Sequence, residues 1–115
     1  MNISAQNLYV GVNFHPHDYE SISEIDSQIG LMKDAGFNVV RLGHLAWDSY
    51  EPADGEFKFE WFDEVMDRMY QAGIKVILDI PVRPAPKWVH RKSPGTTVVT
   101  FDGDTLQPLH RYYND

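Results

Sequence analysis

Two acidic side chains stand where this chain could carry out acid–base or nucleophilic chemistry. Asp79 directly follows the segment KVIL at positions 75–78. The carboxyl end of a predicted strand is a frequent place for a catalytic carboxylate. The simpler interpretation, which we favour, is that Asp79 hydrogen-bonds loop amides or Arg41. Glu51 precedes Pro52 in a turn, where capping of amides or pairing with an arginine is favoured over catalysis. Neither residue on its own predicts a reaction.

The histidines raise the question of a metal site. The chain has five His and no Cys. The histidines follow no metal-binding spacing such as H-E-x-x-H. The chain also lacks the glycine-rich phosphate-binding motifs and the G-x-S-x-G of esterases. We therefore predict no metal ion and no cofactor. The histidines are His15, His17, His44, His90 and His110.

Aromatic residues make up 13% of the chain, which is somewhat rich. Such residues pack cores, and their ring faces can also stack on the C–H faces of sugars. Four residues are second-rank candidates for a pocket wall, although packing or anchoring of loops would also explain each of them. They are Asn13, His15, Trp47 and Trp88.

The elements that would position these residues follow from a repeat. The segment AGFNVVRL at positions 35–42 is echoed 37 positions later by AGIKVILD at positions 72–79. An apolar helical pattern precedes each segment, so the repeated unit is a helix, a Gly stop and a short strand. Repeated units of this kind predict a parallel sheet with helices packed on it. The fold is then a doubly wound sheet or a (β/α)₈ barrel, and a barrel needs about 250 residues.

Hydrophobic periodicity predicts three strands and two clear helices. The first helix begins near Ser21, which forms an S-x-x-E capping box with Glu24, and it stops at Gly36. The first strand is expected to be buried on both faces, as parallel strands tend to be. The predicted strands span 8–14, 39–42 and 75–80, and the second helix spans about 60–72. Helical turns are expected near 46–47 and 87–90, and a short strand at 96–100.

Charge and hydropathy exclude several classes of function. The formal net charge is -7 and the pI is about 5.0. Lys and Arg are scattered without a basic stripe, which argues against nucleic acid and against an anionic membrane surface. No secretion leader is visible, and no apolar run approaches the ~20 residues of a membrane span. We expect a cytoplasmic protein.

One segment is distinctive enough to indicate a family. Residues 47–63, WDSYEPADGEFKFEWFD, closely resemble the N-terminal portion of glycoside hydrolase family 42 β-galactosidases. GVNFHP at 11–16 is similar to that family's G-V-x-Y-Y-P, and LMKDAGFNVVRLG at 31–43 to its L-M-K-x-A-G-x-N-x-V-R-x-G. Residues 81–88 resemble its P-x-x-x-P-P-x-W. The resemblance implies an α/β fold, the N-terminal portion of a (β/α)₈ TIM barrel with strands 1–3 and helices 1–2. Residues 1–115 would then be a single incomplete domain.

The resemblance also implies an activity, the retaining hydrolysis of terminal β-galactosides from oligosaccharides. In the family the acid follows strand four and the nucleophile follows strand seven, so both would lie beyond Asp115 and no catalytic residue is assigned here. Arg111 falls where the family places a guanidinium that hydrogen-bonds sugar hydroxyls, a task that suits its planar fork. We therefore assign Arg111 to substrate binding, together with Asn13, Trp47 and Trp88. An oligosaccharide is the expected partner, and a homo-oligomer, often a trimer, is implied.

The chain departs from the family pattern in ways that leave alternatives open. The family commonly has Glu where this chain has His44, and Gly-Thr where it has Asp79 and Ile80. A Cys that binds zinc in some members is absent from the segment LHRYY at 109–113. One alternative is a related glycosidase of the same clan that acts on another β-glycoside, such as an arabinoside or a mannoside. Another is a non-catalytic carbohydrate-binding partial barrel, whose open sheet edges would favour self-association.

Overall fold

The computed structural model describes residues 8–82, 85–96 and 99–104, and they fall into two compact units. The first unit takes its described residues from Met1–His44 and Glu60–Asp79, and the second from Leu45–Phe59 and Ile80–Asp115. In chain order the elements are β1 (Gly11–Asn13), α1 (Ile22–Asp34), β2 (Val39–Leu42), α2 (Trp47–Tyr50), α3 (Glu60–Gln71), β3 (Lys75–Leu78) and α4 (Lys87–Lys92), with 3₁₀ turns at Pro16–Asp18 and Pro94–Thr96. None of the described helices is long and apolar enough to cross a membrane.

The first helix of the first unit, α1, begins and ends where its sequence predicts. The Ser21 hydroxyl accepts a hydrogen bond from the Glu24 N–H at 3.3 Å, and the Glu24 carboxylate accepts one from the Ser21 N–H at 3.2 Å. This capping box satisfies amides that the first turn leaves unpaired. Gly36, with a φ of +80°, ends the helix in a left-handed conformation that a residue with a Cβ would adopt only under strain.

The three strands of the first unit form a parallel sheet in the order β1-β2-β3, as the repeat predicts. Successive residues of a strand point to opposite faces. Val40 and Leu42 of β2 are therefore buried against the helices, whereas Arg41 lies on the other face. The core between this sheet and its helices consists of Phe14, Ile25, Ile29, Met32, Val40, Leu42, Val65, Met69 and Ile74.

The face of the sheet opposite the helices carries an open groove of about 340 Å³. Asn13, Val39, Arg41 and Ile77 are among the residues that line it. Gly11 also lines this groove, and a Cβ placed there would overlap the main-chain carbonyl oxygen of Val39. The close pairing of β1 with β2 therefore requires glycine at this position.

The first strand differs from its prediction in length and in burial. We expected residues 8–14 buried on both faces, but β1 covers only Gly11–Asn13 and all three of its residues are exposed. Burial on both faces requires covering layers on both faces and neighbours on both edges. In the described sheet β1 is an edge strand that pairs with β2, so the prediction was wrong. The third strand is also shorter than predicted, since β3 ends at Leu78.

The second unit consists mainly of short helical segments joined by turns. The helical turns predicted near 46–47 and 87–90 are confirmed as α2 and α4. The strand predicted at 96–100 is wrong at Thr96, which is the last residue of a 3₁₀ turn that Pro94 begins. The fixed φ of proline suits the first position of such a turn. Thr97 and Val98 of that predicted strand lie outside the described residues.

Candidate functional site

Three polar side chains of the first unit meet at the carboxyl ends of β2 and β3. Asp79 directly follows β3, Arg41 lies within β2, and His44 comes shortly after β2. Asp79 Oδ2 accepts a hydrogen bond from Arg41 Nη2 at 2.5 Å and lies 3.1 Å from His44 Nδ1. Arg41 Nη2 is also 3.3 Å from His44 Nδ1. One carboxylate oxygen therefore contacts both of the other side chains.

The alternation of side chains along parallel strands explains why these residues converge. Arg41 pairs with Ile77 in the sheet, so residue 79, two positions further along, points to the same face as Arg41. The Asp79 N–H continues the ladder beyond β3 by donating to the Leu42 carbonyl oxygen at 2.7 Å. The favoured interpretation of Asp79, a carboxylate that hydrogen-bonds Arg41, is confirmed.

The group formed by Arg41, His44 and Asp79 is partly buried. The side chains keep 40%, 34% and 21% of their exposure, respectively. Salt screens such a pair less than a fully exposed one, while the side chains stay within reach of solvent. Arg41 is always charged, and its charge is matched by Asp79. The arrangement can bind a hydroxyl group or another polar ligand, but its one carboxylate is already engaged by two neighbours.

His15, one of the predicted pocket residues, stands beside this group. Its ring centroid lies 5.9 Å from that of His44 and 5.6 Å from that of His17. His15 Nδ1 is 3.6 Å from Asp18 Oδ2, which is too long for a hydrogen bond. His15 Nε2 is buried and has no hydrogen-bond partner within the described part of the chain. Nowhere in that part do three or more His, Cys, Asp or Glu residues group so as to hold a metal ion.

Asn13 is the second predicted residue that the first unit brings near this group. It pairs with Arg41 across β1 and β2, and both residues line the open groove of the sheet. An amide and a guanidinium on one surface supply both donors and an acceptor for hydrogen bonds. A role for Asn13 in substrate binding stays a prediction.

Trp47 and Trp88, the predicted residues of the second unit, contact each other around Glu51. Their rings meet edge to face, with centroids 6.5 Å apart and planes at 89°. The Trp47 Nε1–H donates to Glu51 Oε2 at 3.0 Å, and the Trp88 Nε1–H donates to the Glu51 carbonyl oxygen at 2.9 Å. Glu51 Oε1 accepts the Gly55 N–H at 3.0 Å. Glu51 therefore has the predicted structural role of capping an amide, and both indole N–H groups are already used.

Among the described residues, Arg68 and Lys92 have raised pKa values, and both belong to surface ion pairs. Hydrogen bonds to Asp26 and then to Glu64 are the main causes that raise the pKa of Arg68. A hydrogen bond to Asp54 is the main cause that raises the pKa of Lys92. Exposed pairs of this kind contribute little to stability, and neither pair builds a concave site.

The hydrogen bond between Asp79 and Arg41 was predicted from the sequence, but the contacts of His44 with both residues were not. His44 stood out only as a departure from the family pattern. The usable signal was positional, because all three residues stand at the ends of strands that a repeat predicts to be neighbours. Arg111 lies outside the described residues, so its assignment to substrate binding stays a prediction.

Comparison with known proteins identifies beta-galactosidases among the relatives of this chain. A family model described as Beta-galactosidase, Glyco_hydro_42, matches residues 13–114. A beta-galactosidase from Arthrobacter sp is 36% identical over 106 residues, which are 92% of this chain and 15% of that protein. Beta-galactosidase BglY from Alicyclobacillus acidocaldarius is 34% identical over 87% of this chain and 15% of its own length. The chain thus spans about 15% of the length of these curated relatives.

Solved structures agree with this result. The beta-galactosidase from the psychrophilic Marinomonas ef1 matches 87% of this chain and 15% of its own, with a TM-score of 0.75 and 30% identity. The Gan42B beta-galactosidase matches 84% of this chain and 14% of its own, with a TM-score of 0.69 and 32% identity. The described strands and helices are therefore an N-terminal portion of a (β/α)₈ barrel. The chain belongs to glycoside hydrolase family 42, the beta-galactosidase family.

Proposed function

We propose that the complete protein carrying this chain is a β-galactosidase-like glycosidase that hydrolyses terminal β-galactosides of oligosaccharides with retention of configuration. The observation that carries this proposal is the similarity to proteins named beta-galactosidases, which reaches 36% identity over 92% of the chain. The activity is proposed for the complete protein because the chain spans only 15% of that relative.

We assign no catalytic residue within this chain. Retaining hydrolysis needs two carboxyl groups ~5–5.5 Å apart, one to protonate the leaving oxygen and one to attack the anomeric carbon. Asp79 is engaged by Arg41 and His44, and Glu51 is engaged by Trp47 and Gly55. The acid and the nucleophile are therefore expected elsewhere in the complete protein, as the family resemblance implies.

The proposed contribution of this chain is part of the barrel and part of the sugar pocket. Arg111 and Asn13 would hydrogen-bond sugar hydroxyls, since guanidinium and amide groups suit such partners. Trp47 and Trp88 would contribute ring faces rather than N–H donors, because Glu51 already accepts from both indoles. These roles rest on the family resemblance and on the residue types.

A panel of nitrophenyl glycosides tests the proposed activity. The complete protein should hydrolyse the β-galactoside with first release of β-galactose, and the isolated 115 residues should show no turnover. An inert complete protein, or first release of α-galactose, would contradict the proposal. Turnover by the isolated chain would contradict the assignment of the catalytic pair to another part of the protein. The intact mass of the native protein, compared with 13.3 kDa, shows which species is being assayed.

A related glycosidase that acts on another β-glycoside is the second candidate. The contact between His44 and Asp79 favours it, because these are two positions at which the chain departs from the family pattern. A higher kcat/KM on an arabinoside or a mannoside than on the galactoside would select this candidate. A trimeric state and a cytoplasmic location remain predictions, which size-exclusion chromatography and cell fractionation would test.

A further inference from the structure

We propose that His44 determines sugar specificity by accepting a hydrogen bond from a hydroxyl group of the bound glycoside, and that Asp79 is the residue that positions it. This inference rests on the proposed function and deepens it. His44 and Asp79 stand at the carboxyl ends of neighbouring parallel strands, which is the end of an α/β barrel where ligands bind.

Asp79 and Arg41 both lie within hydrogen-bond distance of His44 Nδ1, and they favour opposite tautomers of the ring. An ionised carboxylate only accepts hydrogen bonds, and a guanidinium only donates them. His44 Nδ1 lies closer to Asp79 Oδ2, at 3.1 Å, than to Arg41 Nη2, at 3.3 Å. In this proposal the proton is on Nδ1 and is donated to Asp79, so the contact with Arg41 at 3.3 Å is not a hydrogen bond. In the neutral ring Nε2 then carries the lone pair and acts as an acceptor.

The accepting nitrogen is free to meet a ligand. His44 Nε2 has no hydrogen-bond partner among the residues that the structure describes, and it is not among their buried unpaired atoms. The side chain keeps 34% of its exposure. A sugar hydroxyl can donate to such a nitrogen.

Arg41 fixes the carboxylate that holds His44. Arg41 Nη2 donates to Asp79 Oδ2, the same oxygen that lies next to His44 Nδ1. A histidine whose second nitrogen is held by a carboxylate keeps one ring orientation and one tautomer, which is how Asp–His pairs work in other sites. Asp79 therefore acts on the ligand through His44 and not by direct contact.

The two departures from the family pattern are explained together. A Glu at position 44 would offer a carboxylate, whereas His44 offers an imidazole. With Asp79 the carboxylate stands on the neighbouring strand, where it still matches the charge of Arg41. Position 44 thus carries an imidazole while Asp79 supplies the carboxylate that pairs with Arg41. A change of this kind alters the preference among sugars that differ in one hydroxyl group.

The test measures the coupling between His44 and one hydroxyl group at a time. The complete protein and its His44→Ala variant are assayed for kcat/KM on nitrophenyl β-galactoside and on analogues that each lack one hydroxyl. A hydrogen bond between neutral groups is worth roughly 2- to 12-fold in kcat/KM. We expect His44→Ala to lose this factor on the parent sugar. On the one analogue that lacks the contacted hydroxyl, the variant and the unchanged protein should have the same kcat/KM.

Companion variants separate positioning from folding. Asp79→Ala should weaken the coupling to the same hydroxyl, and Asp79→Asn, whose carbonyl oxygen can still accept from Nδ1, should restore part of it. Asp67→Asn changes an exposed carboxylate on α3 that has no side-chain partner among the described residues; it is the matched control and should leave kcat/KM unchanged. If His44→Ala fails to fold, His44→Asn carries the test, because its amide ends at the level of Nδ1 and leaves no acceptor where Nε2 stands.

The outcomes distinguish this inference from the proposed function. If His44→Ala lowers kcat/KM by the same factor on every analogue as on the parent sugar, no single hydroxyl group is coupled to His44. That result would refute the role of His44 and leave the proposed glycosidase activity standing. No turnover of any glycoside by the unchanged protein would refute the proposed function and the sugar-specificity role with it. Loss of coupling confined to one hydroxyl would support both.

Discussion

Glu51 should be the residue on which the local structure around Trp47 and Trp88 most depends. Its carboxylate accepts the Trp47 indole N–H in a partly buried position and the Gly55 amide N–H in an exposed one. The change Glu51→Ala removes both acceptors at once. The Trp47 indole N–H then loses its acceptor, and water can replace that acceptor only in part because the position is partly buried.

The size of the effect follows from the two hydrogen bonds. A hydrogen bond to a charged group contributes about 1.5–3 kcal/mol when it is shielded from water, and the exposed one contributes about 0.5 kcal/mol. We therefore expect Glu51→Ala to lower the free energy of unfolding by about 2–3 kcal/mol. Glu51→Gln keeps one accepting oxygen and should lose about half as much.

Urea titration followed by tryptophan fluorescence measures this effect. With a slope of about 1–3 kcal/mol per molar urea, the midpoint should fall by roughly 0.7–3 M at an unchanged slope. The matched control is Glu56→Ala, since Glu56 is an exposed carboxylate in the same turn whose side chain has no partner in the described part of the chain. Equal losses for Glu51→Ala and Glu56→Ala would refute the reasoning, because the contacts of the Glu51 carboxylate would then contribute nothing.

Three further predictions concern the first unit. Ile25→Ala should lower the free energy of unfolding by about 3–4 kcal/mol, since three buried carbons are removed and a cavity is left. Leu31→Ala on the same helix should lower it by under about 1 kcal/mol, because Leu31 is 62% exposed. Similar urea midpoints for the two variants would contradict the assignment of the core. Gly11→Ala should cost about 2 kcal/mol or more, because its Cβ would overlap a carbonyl oxygen of the neighbouring strand, and an unchanged melting temperature would show that β1 does not pair as described. Ser21→Ala should cost about 1 kcal/mol through loss of the capping box, and unchanged amide hydrogen exchange at Glu24 would argue against that cap.

The parts of the fold that were predictable depend on neighbours in sequence. The limits of α1 follow from Ser21, Glu24 and Gly36, which all act on the helix within one turn of its ends. The strands of the repeat follow from β-branched runs that come directly after a Gly stop. The structural role of Glu51 was also predictable, since its partners Trp47 and Gly55 are each four residues away.

The parts that were not predictable depend on contacts between distant residues. The burial of a strand depends on what covers its faces and edges, so the apolar composition of β1 did not reveal that it is exposed. Arg41 and Asp79 are 38 residues apart, and His44 and Asp79 are 35 apart. Only the parallel register brings Arg41 and His44 to the carboxylate of Asp79. A one-residue change of register between β2 and β3 would move Arg41 and Asp79 to opposite faces of the sheet.

The pairing of β2 with β3 also carries information about closure of the sheet. Gly36 and Gly73 end equivalent helices, so the counterpart of Val39 in the second repeat is Val76. The sheet nevertheless pairs Val76 with Val40. The register of β3 is therefore shifted by one residue relative to β2. Repeated around a barrel, this step gives a shear of about eight and a strand tilt of about 36°, the values of a closed (β/α)₈ barrel. The stagger that lets the barrel close is thus present in a single pair of neighbouring repeats.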